Sequence, residues 1–189
     1  MNVISSVNLV TSKWLFEFSR AFVSGRVLDV GCGHKPYKRL YNFDEWVGLD
    51  ARPVGEIQSD ICATQFEPEY DTVFCVHLLQ YVNDPMAAIR NMVTALKPGG
   101  HLVLVTFNTF QEDNACFWNF KVRGLDWMVN SVGLKPVLIQ SGGSLFNDES
   151  ENYRSTDKYS VPLPNTFPGW IEYLDKAYPA LSFVIAKKE

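Results

Sequence analysis

Three aspartates stand at or near the ends of short strand-like segments in the first third of the chain, where a carboxylate can meet a ligand. Asp29 lies inside Arg26–Val30, just ahead of Gly31-Cys32-Gly33. An ionised carboxylate in an apolar strand is costly unless something pairs with it. A ligand ammonium group would serve, and so would backbone N–H groups of its own turn. Asp50 ends the run Trp46-Val47-Gly48-Leu49. Its two oxygens can accept both hydroxyls of a ribose, or cap the following turn. Asp60 ends residues 56–59, where it can accept an adenine amino group while Ile61 packs on the ring and offers its N–H. Between the first acid and the second, Gly31 and Gly33 allow backbone to approach a ligand that a larger side chain would obstruct. A glycine turn alone also suits a dinucleotide or a simple bend. Acids at three successive strand ends add a line of contacts along one nucleoside-bearing ligand, at the crevice where open sheets bind.

Further along, His77 follows the apolar run 70–76 and is the candidate general base for a hydroxyl nucleophile. It could equally pack at a strand–helix junction. Asp113, with Glu112, falls in the loop after residues 101–107 and could orient an acceptor or act as base; such acids are also common as solvated loop residues. Phe107, Phe110, Phe117 and Trp118 suit an apolar pocket wall, or core at helical spacing.

These residues need a scaffold that alternates strands with helices. Residues 12–23 place Trp14, Leu15, Phe18 and Phe22 on one helical face, which predicts an N-terminal capping helix within residues 1–24. Strand, tight turn and helix follow at 26–30, 31–33 and 37–42, with Pro36 able to start that helix. Residues 70–76 form a continuous apolar run, as in a strand buried on both faces, and 84–96 carry a helical pattern stopped by Lys97-Pro98-Gly99-Gly100. A strand at 101–107, a helix at 115–131 stopped by Gly133, and a last strand at 182–186 returning to the sheet edge complete the alternation. Residues 141–168, rich in Gly, Ser, Asn, Asp and Pro, predict a long surface excursion able to act as a lid, with a short helix at 170–176 after it. The pattern is that of a three-layer α/β sandwich around a mostly parallel sheet.

Length and charge narrow the function. At 189 residues the chain suits one domain, residues 1–189, rather than two. The net charge of −4 with dispersed Lys and Arg gives no basic stripe to neutralise phosphates, so nucleic acid is not the expected partner. No apolar run approaches membrane-spanning length and the N-terminus does not read as a secretory signal, which predicts a cytoplasmic protein with no membrane span. Four cysteines without a CxxC pair predict reduced thiols and no metal cage.

In order along the chain, VLDVGCGHKPY, VGLD, SDI and YDTVFCVHLLQYVNDPMAAIRNMVTALKPGGHLVLVTFN resemble the class I S-adenosylmethionine-dependent methyltransferases, over at least residues 27–108. The resemblance implies a Rossmann-like fold: a three-layer α/β/α sandwich on a seven-stranded, mostly parallel sheet with an antiparallel last strand. It implies S-adenosylmethionine as cofactor and S-adenosylhomocysteine as product. Asp29, Gly31, Cys32 and Gly33 would hold the methionine and ribose side, with Tyr37 packing over either. Asp50 and Ala51 would take the ribose, Asp60 and Ile61 the adenine, and Cys75, Val76 and His77 would approach through the end of their strand. Relatives carry Gly where this chain has Lys35, which is tolerable if the turn is complete at Gly33, and a Glu-His pair where it has Gln80-Tyr81. The form GCG-x-x-PY, with Gly124-Leu125-Asp126-Trp127-Met128 and Gly133-Leu134, resembles methyltransferases acting on sugars or other small metabolites. Two other functions stay open: an NAD-binding oxidoreductase, which shares the glycine turn and second acid but not Asp60-Ile61, and a cofactor-binding module or partner subunit with little activity of its own.

Overall fold

A computed structural model describes residues 6–107, 116–142 and 181–189. Each apolar run of the first half becomes a strand. β1 (Arg26–Val30) lies between β2 (Glu45–Asp50) and β4 (Tyr70–Val76), all parallel, with β3 (Ile57–Gln58) outside β2. β5 (Leu96–Phe107) runs parallel to β4. Among the described residues the sheet has seven strands in the order β3-β2-β1-β4-β5-β7-β6.

β7 (Leu181–Lys188) is the antiparallel member, and it lies inside the sheet between β5 and β6 (Leu134–Gly142) rather than at the edge expected from sequence. Its composition explains the position: Leu181 to Ala186 are buried on both faces, as an edge strand would not be. The edge is β6, with Lys135 and Val137 exposed.

Alternate residues divide the core between two layers. Leu28, Val30, Val73, Cys75, Leu102 and Leu104 face α2 (Pro85–Ala95) and α3 (Val122–Ser131), whereas Val27, Phe74, Val103, Val105 and Phe183 face α1 (Ser6–Phe18). α2 starts with Asp84, whose side chain accepts the Ala87 N–H at 2.9 Å, followed by Pro85, for which a missing N–H costs nothing at that position.

Helix boundaries differ from the predicted ones where polar groups capture the backbone. The first helix ends at Phe18, not Val23: the Ser19 hydroxyl donates back to the Leu15 carbonyl and also meets the Tyr41 hydroxyl. The helix expected at 37–42 is a single 3-10 turn, Lys38–Leu40, because Tyr37 and Tyr41 turn into the α1-side core against Phe74 and Trp46. α3 begins at Val122 rather than near 115, since the amides of Phe117 and Trp118 donate to the Gln80 carbonyl and that of Phe120 to Phe107. The strand expected from residue 101 already starts at Leu96, where Leu96 pairs with Tyr70. The excursion at 141–168, beyond residue 142, and the helix at 170–176 lie outside the described residues.

Candidate cofactor site

Connections leave β1 in opposite directions, β2 to one side and β4 to the other, so their carboxyl ends bound a crevice at a topological switch point. A cavity of about 430 Å³ opens there, lined by Gly31 of the first turn, Leu49 to Arg52 of the second, Ser59 to Cys62 after β3, and Leu78 with Tyr81 to Asp84 beyond β4. Of the residues singled out from sequence, it brings together Gly31, Asp50, Ala51, Asp60 and Ile61.

The glycine turn is shaped by backbone conformation. Gly31 and Gly33 have φ of +73° and +48°, a region that L side chains rarely adopt, and a Cβ on Gly31 would come within 2.8 Å of Leu78. The turn's N–H groups are held inside the protein: those of Gly31 and Cys32 donate to the Leu49 carbonyl, and that of Gly33 to Asp50 Oδ2 at 3.0 Å. The turn does not close at Gly33. Lys35 also has positive φ, +54°, and its ammonium pairs with Glu56, whose other oxygen accepts the Gly48 N–H. The Lys35 contact pulls the Glu56 carboxyl down to about 2.

Asp50 is 7% exposed and fully engaged: Oδ1 accepts from the Arg52 N–H and Nε, both at 3.0 Å, and Oδ2 from Gly33 and from Arg52 Nη2 at 3.2 Å. Burial raises its pKa, but the Arg52 and Gly33 donors outweigh that and hold the carboxyl below its ordinary value. Asp60, at the cavity, is exposed and turns one oxygen to the Cys62 N–H at 2.9 Å. Ile61 is buried, and its carbonyl accepts from the Asn91 side chain.

Asp29 stands apart from this cavity. It faces the α1 side of the sheet, where Oδ2 accepts the Trp46 indole N–H at 2.9 Å, and burial pushes its carboxyl up to about 7. That partner is neither of the two weighed from sequence. Register explains it: Asp29 lies opposite Gly48, so Trp46, two residues earlier on the same face of β2, reaches it diagonally. Cys32 and Tyr37 are buried near it, Cys75 lies in the α2-side core and Val76 in the α1-side core, and none of these four lines the cavity; neither does Gly33.

His77 is held in the left-handed region at φ +56°, with its ring stacked on Phe107 at 4.3 Å and Nε2 2.8 Å from the Thr11 hydroxyl of α1. Burial lowers its pKa to about 4, so the imidazole is neutral at pH 7. Its Nδ1 and the Gln80 amide nitrogen have no hydrogen-bond partner among the described residues. Asp113, Glu112 and Phe110 lie outside the described residues, and Phe117 and Trp118 are exposed. Arg52, Leu78, Tyr81 and Val82 line the cavity without any signal in the apolar runs; for Arg52 the sign is a cation two residues after a strand-end acid.

A seven-stranded sheet of this order with a nucleoside-sized crevice at its switch point defines the class I methyltransferase architecture. The methyltransferase-domain profile matches residues 8–139, and the chain belongs to that family of S-adenosylmethionine-dependent methyltransferases. It is similar to a ubiquinone biosynthesis O-methyltransferase of Proteus mirabilis, 30% identical over 118 residues, which cover 60% of this chain and 44% of that protein. The chain spans about half the length of the curated relatives it matches. Among solved structures, an S-adenosylmethionine-dependent methyltransferase of Archaeoglobus fulgidus superposes with a TM-score of 0.67 at 17% identity, covering 95% of this chain and 94% of that one. A chain from the complex of the Trm112 methyltransferase activator with a methyltransferase of Haloferax volcanii also gives 0.67, at 14% identity, covering 97% and 91%. Among the described residues no helix is long and apolar enough to cross a membrane.

Proposed function

We propose that the chain transfers a methyl group from S-adenosylmethionine to a small-molecule acceptor such as a sugar hydroxyl. The observation that carries this reading is the shared cavity of Gly31, Asp50, Asp60 and Ile61, because its donor set fits an adenosyl group. A carboxylate at the tip of β2 suits two ribose hydroxyls, Asp60 suits an exocyclic amine, and Leu49, Ile61, Leu78 and Val82 offer apolar cover for a purine. When bound, the cofactor supplies a methyl group already activated on a sulfonium. The protein's remaining tasks are alignment and exclusion of water.

Within that reading, Asp29 works from behind the glycine turn: its carboxyl, raised to about 7 by burial, is ionised only in part at neutral pH and gains charge when a ligand ammonium group approaches. His77 remains neutral over the physiological range and is a weak base, so it positions the end of β4 and α1 more than it drives proton transfer. Asp50→Ala removes a charged acceptor of two hydrogen bonds and is expected to weaken S-adenosylhomocysteine binding by more than about tenfold in calorimetry. Unchanged affinity would remove Asp50 from the site.

A further inference from the structure

We infer that Arg52 sets the cofactor affinity of this site by occupying the carboxylate that a ribose must claim, so that binding exchanges one partner of Asp50 for another. The inference rests on reading Asp50 as the ribose-binding residue.

A carboxylate offers about four lone-pair positions. In Asp50 all four have donors: two backbone N–H groups, from Gly33 and Arg52, and two guanidinium N–H groups, from Arg52 Nε and Nη2. The backbone donors belong to the turns that shape the cavity and stay in place. The guanidinium does not have to. The Arg52 side chain is 68% exposed while Asp50 is buried, so the arginine can leave toward solvent at small cost, and the carboxylate cannot follow. Its departure frees two acceptor positions, one on each oxygen, and a ribose brings two hydroxyl donors.

The arginine also borders the space that the ligand must fill. It lines the cavity, and a Cβ built on Gly33 would sit 3.7 Å from Nη2, so the guanidinium spans the gap between the β2 tip and the glycine turn. A planar fork gripping both oxygens is held better than a lysine ammonium would be. Its return to Asp50 equally favours departure of the product, which carries the same ribose.

The test is calorimetric titration of S-adenosylhomocysteine into the wild type, Arg52→Ala, Arg52→Lys and Asp50→Ala, at low salt and in 1 M NaCl. Arg52→Ala keeps the backbone N–H that orients Asp50 and removes an exposed side chain, and a melting curve checks that the variant folds. Removing a competitor of this kind is expected to tighten binding about two- to fivefold at low salt, with Arg52→Lys between the two. Screening weakens the competitor, so the gap between wild type and Arg52→Ala should close in 1 M NaCl. Equal or weaker binding by folded Arg52→Ala overturns the inference and makes Arg52 a spectator or a direct ligand contact. Wild-type affinity in Asp50→Ala overturns it for a different reason, since the ribose would then lie elsewhere. Binding by none of the variants overturns both.

Discussion

Asp29 and Asp50 are both strand-tip carboxylates, and their surroundings drive them apart. Donors crowd around Asp50 and keep it ionised, whereas Asp29 has the Trp46 indole and a dry wall of Tyr37, Tyr41 and Phe74 nearby. Its carboxyl moves from an ordinary 3.8 to about 7 on folding. The folded chain therefore holds this proton more tightly than the unfolded chain, and the resulting stability is complete below about pH 4 and lost as pH rises through about 7. His77 acts with the opposite sign: its folded value of about 4 lies below the ordinary 6.5, so its contribution is present above 6.5 and lost as pH falls through 4. Asp29→Asn keeps an oxygen for the indole and cannot ionise. We expect this variant to gain on the wild type in urea denaturation as pH rises from 4 to 8, most of the gain coming below about 7; parallel behaviour of both proteins over that range would show that folding leaves the Asp29 carboxyl unshifted. The places of Asp50 and Asp60 at the cavity were legible in the sequence because each ends a short predicted strand. The Asp29–Trp46 bond was not, because it depends on which strands pair and in what register.

At the scale of elements, the turn after β1 decides whether the crevice exists. Gly31 combines positive φ with close approach of Leu78, the residue that carries the chain from β4 toward the cavity wall. Gly31→Ala is expected to lose about 2 kcal/mol or more of stability, from the left-handed backbone cost of 1–2 kcal/mol plus the displacement of Leu78. Chemical denaturation measures this, and a loss under about 0.5 kcal/mol would mean that the turn adapts freely. The strands of the first half, the start of α2 and the stop at Gly133 follow from apolar runs, an Asp-Pro cap and a glycine, all local signals. The missing helix after Gly33 and the late start of α3 do not, since tyrosines recruited to a distant aromatic cluster and amides captured by Gln80 override local propensity. Lys35 shows the same limit. The left-handed turn extends one step past the glycines, and an ion pair with Glu56 offsets what glycine would have spared.

For the molecule as a whole, β7 returns from residue 181 to fill the gap between β5 and β6, so the two ends of the described chain support the same sheet. Parallel order and layer arrangement were readable from the alternation of elements, while the internal place of β7 follows from burial on both faces, which a short apolar run does not by itself distinguish from an edge. Opposite that seam, the crevice beside β1 gathers Gly31, Asp50, Asp60 and Ile61 into one wall, which we propose holds a single adenosyl ligand. A dinucleotide would need room for a second nucleotide and N–H groups free for its pyrophosphate, yet the N–H groups of Gly31, Cys32 and Gly33 all have partners within the protein. Calorimetric titration of the wild-type chain with S-adenosylhomocysteine and, separately, with NAD is the most direct test. Saturable one-site binding of S-adenosylhomocysteine, at least about tenfold tighter than NAD, is the expected result; NAD bound equally well or better would contradict the assignment of this crevice to a methyl donor.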